Sequence, residues 1–275
     1  MAQRVCFRFD VDTHRCLGAA SDALAAVAAE FAVSFTFFVH MGRATERVAA
    51  LGDWRYTATD AAAPSLDPYV KLGRAGVARI VLGNPRIGAR RRSAIARLRD
   101  AGHEIGLHGG RNHGAWQRHA ERWDVARLAE ELDWGRAALA RAGVPQPAGF
   151  ASPAWVQPEG LPEIAAAAGF RYLADRHGHD LDAVDTSGVL PDVATTILGE
   201  PGGVGYLEWM RALGHDEDVI VADFRRRVLE SADPAVVYDH PVWAGRHDLP
   251  LVRRLVRVVL DEGLSVVTLR EAAGV

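Results

Sequence analysis

The sequence predicts an α/β fold built on a parallel sheet, and three observations carry that reading. Short runs of bulky and β-branched residues alternate with longer segments whose apolar positions fall on one helical stripe, the sequence form of repeated strand–helix units. No internal repeat organises the alternation. The 275 residues, 49% of them hydrophobic, suffice to bury a large core. The chain is therefore read as a single domain over residues 1–275, with an insertion at about 42–88. An open doubly wound sheet satisfies this pattern.

Val5-Cys6-Phe7 is a buried opening strand that runs into Arg8-Phe9-Asp10-Val11-Asp12-Thr13. Ser21 to Phe31 is an Ala-rich helix with a serine at its start, and Val33 to Val39 a strand rich in β-branched and aromatic residues. Residues 42–88 fit no one regular unit. They hold Trp54, Tyr56, Leu66, Tyr69 and Leu72 among glycines and prolines, in a loop long enough to be functional or to carry its own structure. Ser93 to Ala101 is a short helix and Glu104 to His108 a strand, followed by a His-rich loop. Asp124 opens the clearest helix, with Val125, Leu128, Ala129, Leu132, Leu139 and Ala142 on one stripe before Gly143 and Pro145 stop it. Gly149 to Ser152 is a strand running into Pro153-Ala154-Trp155, Gly160 to Ala168 a helix, and Arg171 to Ala174 a strand. Gly178 to Pro191 reads as a loop and Val193 to Leu198 as a strand. The glycine-rich turn at Gly199 to Gly205 lacks the context of a nucleotide-binding loop. Ala222 to Ser231 is helical and Ala235 to Tyr238 a buried strand. Asp248 to Glu262 is a helix with Leu251, Leu255, Val256, Val259 and Leu260 apolar, and Leu264 to Thr268 is the last strand.

Composition excludes several classes of function. A net charge of -3 with interspersed signs argues against a nucleic-acid surface, and Arg90-Arg91-Arg92, at the start of a helix, reads as a solvated face. Two cysteines, Cys6 in the strand and Cys16 in the following loop, give no disulfide framework and fit a reducing compartment. Cys16 reads as a free thiol. The first strand begins almost at once without an apolar signal segment, and no run reaches bilayer-spanning length, so a cytoplasmic protein is expected.

The chemistry concentrates in two stretches. Asp10 and Asp12, at i and i+2, project to the same face at the carboxyl end of the first strand, as a metal ligand and a proton acceptor would. A solvated strand end reads the same way, so the pair needs partners. Gly102-His103-Glu104-Ile105-Gly106-Leu107-His108-Gly109-Gly110-Arg111-Asn112-His113 supplies imidazoles, the commonest metal ligands near neutral pH. With Asp12 they make a His-His-carboxylate set that leaves positions open for water and substrate. The bland alternative is a packed strand-end His108 and a solvated His113.

The landmarks together resemble the polysaccharide deacetylases, the NodB-type domain of carbohydrate esterase family 4. Within them the resemblance is nearest to the branch of 4-deoxy-4-formamido-L-arabinose-phosphoundecaprenol deformylases. The matching segments are Arg8 to Thr13, Leu107-His108 through Ala115-Trp116-Gln117, Pro153-Ala154-Trp155, Ala174-Asp175-Arg176-His177-Gly178, and Val236-Val237-Tyr238-Asp239-His240. The resemblance implies a distorted, incomplete (β/α) barrel of seven to eight parallel strands. It implies a divalent metal, zinc by preference, on Asp12, His108 and His113. It makes Asp10 the general base, His240 the acid that protonates the leaving amine, and Asp175 the residue that orients His240. From the residues alone, Asp175 equally pairs with Arg176 or Arg171. Trp155, Trp116 and Arg176 are the expected substrate-binding residues, Trp155 being either a sugar-stacking wall or a packed core residue.

Two departures from the family pattern stand out. The family's histidines are four residues apart, but the fourth residue after His108 is Asn112, and His113 follows one later. His113 is preferred as the better zinc ligand, with Asn112 through its carbonyl as the alternative and a weak or absent metal site as a third. The arginine that the family often places beside the base, from the turn before Trp155, is replaced here by Phe150-Ala151-Ser152-Pro153. The expected activity is hydrolysis of a formyl or acetyl amide on an amino sugar, linked to polyprenyl phosphate. The insertion would face such a lipid at the inner face of the membrane, or else cover the barrel. The alternatives are a deacetylase of a soluble sugar or natural-product intermediate, and a degenerate sugar-binding member without metal.

Overall fold

Period-two alternation in the first strand sets the architecture. In β1 (Arg4–Val11), Val5, Phe7, Phe9 and Val11 join the main hydrophobic core on one side, whereas Cys6, Arg8 and Asp10 face the other. The computed structural model describes residues 3–45, 68–179, 181–199 and 204–275. Among these, β1 pairs in parallel with β2 (Thr36–Val39), β8 (Ala235–Asp239) and the short β9 (Ser265–Val266). From β2 the parallel sheet continues through β3 (Glu104–His108), β4 (Gly149–Ala151), β5 (Tyr172–Leu173) and β7 (Asp192–Val193). β6 (Val184–Asp185) lies antiparallel to β7. Beyond β7 an irregular stretch reaches across to β8. There Ile197 N donates to the Val236 carbonyl and Tyr238 N to the Ile197 carbonyl, both at 2.9 Å. The sheet is therefore curled into a distorted, incomplete (β/α) barrel.

Helices pack on the sheet, most of them on its outer face, while the last, over Leu269–Ala272, meets the inward-facing Cys6, Phe38 and Tyr172. The helices are α1 (Ala19–Glu30), α2 (Pro68–Gly83), α3 (Arg92–Asp100), α4 (His113–His119), α5 (Val125–Ala140), α6 (Leu161–Ala167), α7 (Tyr206–Ala212), α8 (Glu217–Glu230), α9 (Pro241–Ala244), α10 (Leu249–Asp261) and α11 (Leu269–Ala272). α10 shows why they form. Leu251, Val252, Leu255, Val256 and Val259 recur at helical spacing and are buried, a proline stands in the first turn, and Gly263 at φ 72° ends the run.

The inward positions stack in layers, as in other small barrels. At the bottom, Glu104 accepts from Thr36 and Tyr172 (2.8 Å each) beside Cys6. Arg8 fills the middle, ringed by Phe38, Trp155 and Tyr238 at 5.0–5.4 Å. Asp10, His40, His108 and His240 lie at the carboxyl ends of their strands, where the loops carry function.

Several sequence-based boundaries need correction. α7 and β6 were not expected, and β7 spans only two residues because the stretch after it pairs through single bridges. α8 begins at Glu217, five residues before Ala222, because the Asp216 side chain caps it through Val219 N (2.9 Å). Ser21 is not the first residue of α1; its hydroxyl bonds back to Gly18, accepting from Gly18 N and donating to Gly18 O (3.1 Å each). Val125 and Leu260, expected on buried stripes, are 64% and 37% exposed. Within the insertion, α2 is interrupted at Gly73, while Trp54, Tyr56 and Leu66 lie outside the described residues.

Candidate active site

Arg8, Asp10 and Asp12 share the inward parity of β1 and the residue that follows it. The Arg8 guanidinium grips both oxygens of Asp10 (Nε–Oδ1 3.0 Å, Nη2–Oδ2 2.8 Å) and anchors itself on the Ala174 carbonyl (2.7 Å) and the Thr195 hydroxyl (2.9 Å). Both side chains are buried. Burial alone would lower the Arg8 pKa, but the adjacent Asp10 charge and hydrogen bond raise it, so the guanidinium stays charged. Arg8 thus sits beside Asp10, where the family often places an arginine from the turn before Trp155. Sequence reasoning assigned Arg8 no role, although its parity with Asp10 and Asp12 was the available signal.

His108 ends β3 and His113 opens α4. His108 Nδ1 lies 2.9 Å from the Ala151 carbonyl, so that nitrogen carries the proton and Nε2 presents a lone pair. That Nε2 faces His113 Nε2 at 3.3 Å. Burial lowers the pKa of both rings, His113 well below the usual value, so both are uncharged. The extra residue of the loop is absorbed by Asn112. Its Oδ1 accepts from Ala115 N (3.0 Å) as the N-cap of α4, and its Nδ2 donates to the Thr45 carbonyl (2.9 Å). Asn112 is thus held as a helix cap, whereas the His113 ring turns towards His108. Backbone from residues 42–44 braces this loop. Arg43 N donates to Arg111 O (2.9 Å) and His113 N to Arg43 O (2.9 Å), an approach so close that a Cβ on Gly42 would fall 2.0 Å from Arg111 O. His40 spans the same brace, 2.7 Å from the His108 carbonyl and 3.0 Å from that of Arg43.

His240 follows β8 and is held from both sides. Nδ1 lies 2.9 Å from Glu208 Oε1, while Nε2 lies 3.2 Å from Asp12 Oδ2 and 2.9 Å from the Tyr238 hydroxyl. Glu208 comes from α7 and is 4% exposed. Asp239 underlies the cluster, its two oxygens taking His240 N (2.8 Å) and Leu207 N (2.7 Å). Burial and then the Glu208 charge push Asp239 up to about 7.

The expected orienting residue, Asp175, is corrected by these contacts. Its carboxylate accepts from Ser152 N (2.5 Å) and Ser152 Oγ (2.8 Å), not from His240, Arg176 or Arg171, and burial followed by Asp192 pushes it up to about 7. Glu208 holds the place expected of it. Trp116 is corrected as well. It is 0% exposed, donates through Nε1 to the Val156 carbonyl (2.9 Å) and packs on Trp123 and Phe150, so it is core and not substrate wall. Arg176 is half-buried and donates to the Asp182 carbonyl (3.2 Å). Trp155 is partly exposed, and its ring lies 4.8 Å from His177 and 4.9 Å from Tyr238. Ala154 and Trp155 both adopt left-handed backbone (φ 56° and 55°), and the Trp155 indole N–H has no acceptor among the described residues. Cys16 Sγ is 3.7 Å from Asp12 Oδ1.

Two groups of side chains invite a cation. Glu208, Asp239 and His240 have donor atoms within 4.8 Å of one another. Their contacts, however, are explained by their own hydrogen bonds, with both Asp239 oxygens on backbone amides and His240 Nδ1 on Glu208. Asp12, His108 and His113 are less compact, but their chemistry fits a divalent cation better. Two uncharged imidazoles meet through Nε2 at 3.3 Å, His108 is back-bonded through Nδ1, and the Asp12 charge acts on both rings.

Comparison with known proteins agrees with this fold. A Mycobacterium smegmatis structure described as a polysaccharide deacetylase superposes with TM-score 0.65 at 18% identity, over 100% of this chain and 90% of that one. A family 4 carbohydrate esterase from Streptomyces lividans, solved with acetate, gives 0.54 at 15% identity over 96% and 91%. A carbohydrate esterase family 4 pseudoenzyme from Bacillus anthracis gives 0.57 at 14% over 99% and 66%. The polysaccharide deacetylase profile matches residues 2–173, more than half of the sequence. The chain belongs to the polysaccharide deacetylase family and is a hydrolase of amide bonds.

Proposed function

We propose that the protein removes a formyl or acetyl group from the nitrogen of an amino sugar carried on polyprenyl phosphate. The observation that carries the chemistry is the meeting of the His108 and His113 Nε2 atoms at 3.3 Å beside β1, whose Asp12 reaches His240 at 3.2 Å. Asp12, His108 and His113 would hold a divalent cation, zinc by the character of these ligands. When bound, such an ion acidifies water and polarises an acyl carbonyl.

The remaining steps belong to side chains. Asp10, fixed by Arg8, takes the proton of the attacking water. His240 gives a proton to the departing amine, a step that hydrolysis of an amide requires because an unprotonated amine leaves poorly. Glu208 keeps the Nδ1 proton on its own side of the ring, so Nε2 faces the reacting atoms. Trp155 offers its partly exposed ring to the sugar. Arg176 is the other candidate for sugar contact.

Among the described residues no helix is long and apolar enough to cross a membrane, so contact with a lipid-linked substrate would be peripheral. The test is release of formate or acetate from matched N-formyl and N-acetyl amino sugars, free and polyprenyl-phosphate-linked. Turnover of the linked sugar supports the reading, and turnover of the free sugar alone overturns the lipid assignment.

A further inference from the structure

The loop between Asp12 and α1 carries a concentration of positive charge that the chemistry above does not use. Arg15, Arg79, Arg91 and Arg246 come from four different elements. The Arg15, Arg79 and Arg91 charges all act on the His14 ring, and that of Arg246 acts on Arg15. The backbone brings them together. α9 packs on both α1 and α2, a Cβ on Gly245 would meet the Ala20 carbonyl at 2.2 Å, and the open Cβ positions of Gly18 and Gly73 lie 3.8 Å from the Arg91 and Arg15 guanidinium groups.

None of these four arginines pairs with a carboxylate among the described residues, whereas Arg97, Arg211, Arg225 and Arg253 each hold one. Arg79, Arg91 and Arg246 are exposed and Arg15 half-buried. Mutually repelling guanidinium groups gathered with no paired acid among the described residues are a cost that an anion relieves. Two further features point the same way. His14 is only 8% exposed and has no hydrogen-bond partner among the described residues. α1, 12 residues long, starts at Gly18 without a side-chain cap, so its first amides and positive dipole end open on the same place.

We infer that Arg15, Arg79, Arg91 and Arg246, with His14 and the start of α1, form a phosphate-binding subsite beside the reacting centre. It rests on the amino-sugar reading above and deepens it, since it gives the phosphate of that substrate a binding place in this chain. Arginine forks suit phosphate oxygens. The Thr13–Cys16 turn, with Cys16 against Asp12, joins the subsite to the carboxylates at the end of β1.

The test combines binding with turnover. Calorimetry would follow pyrophosphate, N-acetylglucosamine 1-phosphate and farnesyl phosphate in micelles, on wild type and on an Arg15→Gln, Arg91→Gln double variant. An Arg15→Lys, Arg91→Lys variant controls for folding and charge. Binding to wild type that weakens at least tenfold in the glutamine variant but less than threefold in the lysine variant supports the subsite. No binding to wild type, or equal binding to the glutamine variant, overturns it. Tighter farnesyl phosphate than sugar phosphate identifies a lipid headgroup, and comparable values identify a soluble phosphate. In turnover, wild type should prefer the 1-phosphate to N-acetylglucosamine, and the glutamine variant should lose that preference. Phosphate binding with no turnover of any amino sugar would retain the subsite and refute the amino-sugar reading instead.

Discussion

Replacing Glu208 by glutamine tests the acid half of the site. Glu208 accepts from His240 Nδ1 at 2.9 Å inside the protein, and a hydrogen bond to a charged group contributes about 1.5–3 kcal/mol. If that energy is used in protonating the amine, losing it slows amide hydrolysis by about 10- to 150-fold, at about 1.4 kcal/mol per decade. The assay compares an N-acetyl amino sugar with an aryl acetate, whose phenolate leaves without a proton. Glu208→Gln should slow the amide by that factor, spare the ester and leave metal content unchanged. An equal loss on both substrates would refute the assignment of Glu208 and His240 to leaving-group protonation.

Asp175 makes a pH prediction. Its carboxyl is pushed up to about 7 by burial and then by Asp192, so the folded state holds a proton that the unfolded chain releases near 4. The native state therefore binds more protons between these values, and stability falls as pH rises through them. Asp175→Asn removes this penalty, and urea unfolding should show the variant gaining on the order of 2 kcal/mol over wild type from about pH 5 to about pH 8. A constant difference would contradict the shift. Trp116→Ala, at a fully buried position, should cost about 3–5 kcal/mol in thermal or urea unfolding without raising KM. A raised KM in a stable variant would return Trp116 to the substrate wall. Asn112→Ala should cost about 1 kcal/mol, the value of an N-cap, and retain the metal.

Much of this site was legible in the sequence because its signals are local. The two-residue spacing of Asp10 and Asp12 fixes a shared face on any strand, and His108 ends a strand that its own residues announce. Arg8 carried the same parity, but an arginine between two phenylalanines reads as a strand edge until a barrel interior encloses it. Glu208 was invisible. It lies 32 residues before His240, on a seven-residue helix between glycines, and only the packing of α7 on β8 brings the two together. Asp175 failed for the opposite reason, because the resemblance transferred a role that Ser152 here pre-empts. β6 and β7, at two residues each, are too short for alternation to register. The shifted histidine spacing has a local cause that the sequence did not announce, since Asn112 caps α4 and His113, its first residue, faces His108.

The metal assignment is the centre of the proposed chemistry, and elemental analysis of purified protein tests it most directly. Wild type should carry about one equivalent of a divalent metal. Asp12→Ala and His113→Ala should lose it, while Glu208→Ala and Asn112→Ala keep it. Metal that survives in His113→Ala and disappears in Glu208→Ala would place the ion among Glu208, Asp239 and His240. That result would contradict the ligand set proposed for this protein.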